Sequence, residues 1–260
     1  FLVKFDPSGT ILWDTTYDFS AASSDRDLFN SIDIDGTGNV FVAGQSDQNF
    51  VIAKYSTGGI PLWIQNYSYS NFTDSACVIK VDINDDILVG GIFGEPVNSD
   101  FGLVKYKNDG TFIWANKYTN SPGADDILTD MAIDSIGGIY LTGWETSVFT
   151  TNYNFMTVKY DSAGVFKYEL IWEDSLGVAP DYGKKIGLDG SGNIYVMGDA
   201  NENCSGNIFV NGYRWNTQVH RYGQGVFVNN NELSANFAEV MVYPNPASHE
   251  INFIAPTSIF

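Results

Sequence analysis

The stretch "DIDGTGNVFVAG", residues 33–44, admits two readings. Asp33, Asp35 and Thr37 have the acidic spacing that opens a calcium loop. Equally, Asp35 to Asn39 reads as a tight turn between an alternating strand, "SIDID", and an apolar one, "NVFVAG". A calcium loop needs an acidic ligand at its twelfth position, and Gly44 stands there. Recurrence decides between them. In "DINDDILVGG", residues 82–91, Asp85-Asp86 replace Gly38-Asn39, and a third copy has Gly137-Gly138. Asn, Asp and Gly interchange where a turn needs positive φ. The turn reading follows. Calcium is the one ion the pattern admits, and no other cofactor is indicated.

The stretch belongs to a long repeat, the first thing to seek in a chain of this length. Lys4, Lys54, Lys105 and Lys159 are each followed by an aromatic residue, and their spacings are 50, 51 and 54. Five residues after each lysine stands a glycine (Gly9, Gly59, Gly110, Gly164), and nine after stands Trp13, Trp63, Trp114 or Tyr168. A second block carries two aspartates eight apart: Asp27/Asp35, Asp74/Asp82, Asp126/Asp134 and Asp181/Asp189. Nine residues further on lies Gly44, Gly91, Gly143 or Gly198.

Each repeat reads as four strands: the lysine strand, the aromatic strand after it, the "SIDID" strand and the "NVFVAG" strand. Apolar residues at alternate positions before the second aspartate, such as Ile32/Ile34 and Ile79/Val81, have the period of a half-buried strand. The next strand is apolar at consecutive positions, as in Val40-Phe41-Val42, and must be covered on both faces. Units of four strands and roughly 50 residues that stack face to face are β-propeller blades. The expected fold class is all-β, a partial propeller ring of antiparallel four-stranded blades.

The residues "KYKNDGTFIWANKY" and "IGLDGSGNIYVMG" resemble the SBBP repeat, a bacterial repeat named for seven-bladed propellers, over roughly residues 1–198. That resemblance implies secreted or surface proteins without an assigned activity. After "NNNE" the chain changes character. "VMVYPNPASHEINF" resembles the start of the C-terminal sorting domain of type IX secretion, with Tyr243, Pro244, Asn245, Pro246 and Ala247 matching its opening element. Two prolines there fix φ and remove donors, which suits a rigid turn before an edge strand. The expected organisation is propeller repeats over 1–225, a linker over 226–239 and the beginning of a small β-sandwich sorting domain over 240–260. The resemblance implies export by the type IX machinery, to the medium or the outer-membrane surface. Phe1 opens inside a strand pattern and the sorting element is short, so both ends are expected to continue in a longer reading frame.

A net charge of −18 disfavours nucleic acid and anionic membranes as partners. No apolar run approaches the roughly 18 residues of a membrane-spanning helix, so membrane insertion is not expected. Cys77 and Cys204 fit a buried thiol and a loop thiol.

Strand parity puts both tight turns of each repeat at one end, and the longer, variable connections at the other. From each terminal glycine to the next lysine the distances are 10, 14 and 16 residues, and 23 from Gly198 to Arg221. Variable loops on a rigid scaffold are where function concentrates. They carry Trp144, Tyr153, Tyr213 and Trp215 with Glu145, beside Tyr69, Phe72, Phe93, Phe149, Asp125, Glu95 and Glu202. Rings beside acids suit a polysaccharide, since a ring stacks on a sugar face and a carboxylate accepts its hydroxyl protons. A surface protein is the other partner this face fits. No catalytic residue stands out: His220 and His249 lie outside the well-formed repeats, and no zinc or phosphate-loop spacing occurs. The reading is a non-catalytic binding or structural module. The alternative is a carbohydrate-active propeller enzyme, a lyase or glycosidase, with its site on the variable-loop face.

Overall fold

The computed structural model describes residues 1–17, 27–146, 153–172, 180–202 and 214–222, and at 172, 200–202 and 214–222 the backbone alone. Strands β1 (Leu2–Phe5) and β2 (Ile11–Thr15) pair as a hairpin. Three four-stranded antiparallel sheets follow. Blade 1 is β3 (Leu28–Ile34), β4 (Val40–Ser46), β5 (Asn49–Tyr55) and β6 (Pro61–Tyr67). Blade 2 is β7 (Ser75–Val81), β8 (Ile87–Gly94), β9 (Ser99–Tyr106) and β10 (Phe112–Tyr118). Blade 3 is β11 (Asp126–Ile133), β12 (Ile139–Thr146), β13 (Tyr153–Tyr160) and β14 (Phe166–Trp172). A three-stranded blade 4 holds β15 (Asp181–Leu188), β16 (Ile194–Glu202) and β17 (Arg214–Tyr222).

This corrects the phase of the repeat. A blade does not begin at the lysine strand. It takes the "SIDID" and "NVFVAG" strands of one sequence repeat and the lysine and aromatic strands of the next. The connection between the second and third strands is short, only Asp47-Gln48 in blade 1, so those strands form a hairpin, with Ser46 opposite Asn49. A period fixes the spacing of equivalent residues but leaves the starting strand open.

The opening stretch is a turn. Asp35 N bonds Asn39 O at 3.0 Å, Gly38 N bonds Asp35 O at 2.9 Å, and Asp35 Oδ1 accepts the amides of Thr37 (3.0 Å) and Asn39 (2.9 Å). The same corner recurs at Asp82, Asp134 and Asp189, with φ of 84° at Gly38, 60° at Asp85, 85° at Gly137 and 79° at Gly192. Burial opposes ionisation of Asp35, but hydrogen bonds from Asn39 and Thr37 outweigh it and hold the carboxyl well below the usual range.

The second strand of blades 1 to 3 is buried on both faces, as its sequence requires: Val40 to Ala43, Ile87 to Val89 and Ile139 to Leu141; in blade 4 Ile194 and Val196 are buried while Tyr195 is half-buried and Met197 exposed. Its neighbours come from two blades. Ile79 on β7 packs with Phe41, Ala43, Phe50 and Ile52 of blade 1, and Met131 on β11 packs with Val78, Leu88, Phe101 and Leu103 of blade 2. Adjacent first strands are laced together. Asp33 Oδ2 accepts Val81 N at 2.8 Å, and Asp130 Oδ2 accepts Ile186 N at 3.1 Å.

Each first strand also carries a bulge, at Asn30, Cys77, Thr129 and Lys184. The first three bulged side chains donate across to the next blade: Asn30 to Ala76 O (2.8 Å), Cys77 to Leu128 O (3.3 Å) and Thr129 to Gly183 O (2.8 Å). The bulge presses a carbonyl onto the second strand. A Cβ at Gly44, Gly91, Gly143 or Gly198 would lie 1.7, 2.1, 2.0 or 2.1 Å from that oxygen, which accounts for the glycine in every repeat.

Candidate functional site: the long-loop end of blades 2 to 4

Parity holds, since the Asx turns share one end and the connections between second and third strands share the other, but those connections are shorter than the spacings implied, two residues in blade 1 and four in blade 2. At that end Trp144 and Tyr153 come together, joined by Tyr182 of β15. Trp144 meets Tyr153 edge to face at 4.8 Å and 78°, and Tyr182 at 5.5 Å and 87°; Tyr153 and Tyr182 lie 5.2 Å apart. All three rings are half-buried, so they form a partly open aromatic corner between blades 3 and 4. Partial burial, helped by the neighbouring Tyr153, pushes the Tyr182 phenol up. The other repeats carry Leu28, Ser75 and Ile127 where blade 4 has Tyr182. That departure from the repeat was the signal that could have singled it out.

Glu145 does not join this corner. It neighbours Trp144 on β12, and alternate residues of a strand face opposite sides. It sits in register between Asp126 on β11 and Asn154 on β13, and the three form a buried polar row facing blade 2. In blade 2 the matching place holds Phe93, fully buried and stacked on Tyr69 at 4.6 Å. Phe93 is therefore packing and not an exposed loop aromatic.

The row is a network of acids and amides. Asn120 and Asn154 both donate to Glu145, the latter at 3.1 Å. Asp126 Oδ2 accepts Asn120 N at 2.9 Å, while its buried Oδ1 has no hydrogen-bond partner among the described residues. Beside it, Lys117 bridges Asp100 (2.8 Å) and Glu95 (2.5 Å), and Asn98 donates to Asp100 at 3.0 Å. Burial pushes the Asp126 carboxyl up to about 7; the Asn120 amide opposes this, and Asp100, Glu145 and Asp125 reinforce it. Lys117 is raised, its carboxylate partners outweighing desolvation. Among the described residues, no group of three His, Cys, Asp or Glu is arranged to hold a metal ion.

Trp215 lies within β17 and not in a loop, whereas Tyr213 falls outside the described residues. So do Tyr243 to Ala247 of the sorting motif. The repeated lysines are architectural in blades 1 and 2: Lys105 pairs with Asp82 at 2.8 Å and Lys54 with Asp35 at 3.8 Å. In blade 3, Lys159 instead lies over the Tyr140 ring at 4.5 Å.

The family model "SBBP: Beta-propeller repeat" matches residues 178–203, which contain β15 and β16. No curated protein sequence matches the chain. Among solved structures, the fold is similar to a protein of unknown function from Bacteroides caccae, at 13% identity over 73% of this chain and 61% of that one, TM-score 0.47. Another is an unknown-function protein from Dyadobacter fermentans, at 9% identity over 75% and 61%, TM-score 0.48. A thermostable family-43 glycoside hydrolase is similar at 10% identity over 80% and 76%, TM-score 0.46. The chain spans about three fifths of the length of the first two, at 61% each. Three four-stranded sheets stacked through equivalent contacts, with a β-propeller repeat matched over the blade that follows, define the fold as a β-propeller.

Proposed function

We propose that the chain is a secreted or cell-surface propeller that binds a polysaccharide at the long-loop end, without turning it over. The observation that carries this reading is the aromatic corner of Trp144, Tyr153 and Tyr182. The three rings, with Trp144 edge to face against both tyrosines, keep part of their apolar surface in water. Tyr and Trp add a polar tip each, and such rings supply contact area at low entropic cost. The strongly acidic chain, at −18, favours a neutral or cationic glycan over a sulfated one. The polar row of Asp126, Glu145 and Asn154 supports the corner from the other face of the sheet and is no part of the binding surface.

Export by type IX secretion, with residues 240–260 as the signal, belongs to the same reading and rests on Tyr243 to Ala247. Deleting those five residues in a host with that machinery should leave the protein inside the cell envelope.

The test is affinity electrophoresis and calorimetry against a panel of soluble polysaccharides, with reducing-end and unsaturated-product assays on the same mixtures. Binding without product, lost in Trp144→Ala and kept in Glu145→Gln, supports the reading. Product formation would establish the enzyme alternative. Retention equal in wild type and Trp144→Ala would assign the corner to packing.

A further inference from the structure

We infer that the buried row at the long-loop end of blade 3, Asp126, Glu145 and Asn154, binds a calcium ion. The row departs from the repeat. In blade 2 the matching residues are Asp74, Phe93 and Asp100. There, main-chain amides fill both oxygens of Asp74: Tyr69 N lies 2.7 Å from Oδ2 and Gly94 N lies 2.9 Å from Oδ1. Lys117, on the outer strand of the same blade, pairs with Asp100 at 2.8 Å. In blade 3, Glu145 takes the place of Phe93 and Ile171 takes the place of Lys117. A carboxylate has entered the row where blade 2 is apolar, and the lysine of the outer strand has become an isoleucine.

Two buried oxygens of this row have no hydrogen-bond partner among the described residues, Asp126 Oδ1 and Asn154 Oδ1. Asp126 is 0% exposed and Asn154 7%. The amide that fills the equivalent oxygen in blade 2 is diverted here. Thr146 N, which matches Gly94 N, donates to Asp125 O at 2.7 Å. The three side chains are tied together around Glu145. Asn154 donates its Nδ2 to Glu145 Oε1 at 3.1 Å, which turns its amide group toward the carboxylate. Asn120 donates its main-chain N to Asp126 Oδ2 at 2.9 Å and its side-chain amide to Glu145. Register places all three residues side by side on adjacent strands. A buried acceptor without a donor is costly, and a carboxylate more so. Both orphaned groups are oxygens in a row with a second carboxylate, and one cation satisfies them together.

The ligand chemistry selects the ion. Oxygen donors alone suit a hard cation, whereas zinc favours nitrogen and sulfur. Calcium accepts carboxylate and amide oxygens in a flexible geometry, while magnesium demands a near-ideal octahedron and gives up its water reluctantly. Among the described residues no third acid, histidine or cysteine completes the group. Affinity follows ligand charge, so two carboxylates and an amide place the site in the weak class, with Kd of about 0.1–1 mM. The Asx turns are a different case, because amides already fill Oδ1 of Asp35 and of its counterparts Asp82, Asp134 and Asp189. The inference does not rest on glycan binding at the aromatic corner.

The test is the melting temperature of the whole chain, stripped with a chelator and then supplied with about 5 mM calcium chloride, above the expected Kd. Calcium should raise it by about 3 °C or more. Magnesium at the same concentration should not, and Asp126→Asn should abolish the rise. Asp85→Asn, which removes a charge from an exposed turn, should keep it. No rise with calcium, an equal rise with magnesium, or a rise that survives Asp126→Asn overturns the inference. Should Asp126→Asn fail to fold, Asn154→Asp decides. It supplies a third carboxylate and should tighten calcium binding by about tenfold or more in calorimetry, since ligand charge sets affinity. Affinity unchanged or weakened in that variant overturns the inference.

Discussion

The indole of Trp63 donates to the main-chain oxygen of Asn108 at 2.9 Å, from the outer strand of blade 1 to a turn of blade 2. Trp13 makes the same bond to Thr57 O at 2.9 Å. The repeated lysine reaches the same carbonyl in both cases. Thr57 O and Asn108 O thus each serve two donors from the preceding sheet, a Lys and a Trp nine residues apart. Replacing Trp63 by Phe keeps most of the ring and removes the donor. It should cost about 1 kcal/mol, the usual net worth of one hydrogen bond, in urea unfolding. Because each blade of a repeat protein touches only its neighbours, hydrogen exchange should quicken in blades 1 and 2 first.

The glycine of that turn carries two constraints that can be separated. Gly9 and Gly59 have nearly the same φ, 87° and 81°. A Cβ at Gly9 meets nothing within 4 Å, while one at Gly59 would lie 2.7 Å from the Trp13 ring. Gly9→Ala should cost about 1 kcal/mol for backbone strain alone. Gly59→Ala should cost more, by about 1–3 kcal/mol of overpacking. Equal losses in denaturant melts would show that Trp13 does not seat on this turn in solution.

Lys105 and Asp82 form a buried pair at 2.8 Å, with Asp86 at 3.3 Å from the same ammonium. Lys105→Met leaves a buried carboxylate without its cation and should cost about 3–5 kcal/mol. Adding Asp82→Asn should recover part of that loss, because the charge left behind is the larger penalty. A double variant no better than the single one would contradict this account.

Asp126 makes stability depend on pH. In the unfolded chain its carboxyl releases a proton near the ordinary 3.8, but in the fold it holds one to about 7. Between those values the folded state binds more protons, so stability falls as pH rises from 4 to 7 and is level above. The full fall is up to about 4 kcal/mol at 1.36 kcal/mol per pH unit. Asp126→Asn should flatten this part of the profile and stabilise the protein at pH 7.5. Melting temperatures across pH 4–8 for both proteins read it directly; parallel curves would rule out Asp126 as the titrating group.

Strand content, the Asx turns, the two-faced burial of the second strands and the parity of the ends all followed from periodicity and turn chemistry. These are properties of residues close in sequence, so local spacing suffices to read them. The site was half legible. Trp144 and Tyr153 could be picked as aromatics at a variable end, but Tyr182 lies in another blade and Glu145 faces away from them. Contact between strands of different sheets leaves no trace in local spacing.

What the sequence determined by itself is the repeat: its length, its four strands and the residues that must be equivalent. Tertiary structure alone decided where a blade begins, and which glycines meet a bulged carbonyl and which meet an indole. The reason is physical. A strand's own residues set its alternation, but burial is conferred by the neighbouring sheet, and identical patterns have different fates where that neighbour differs.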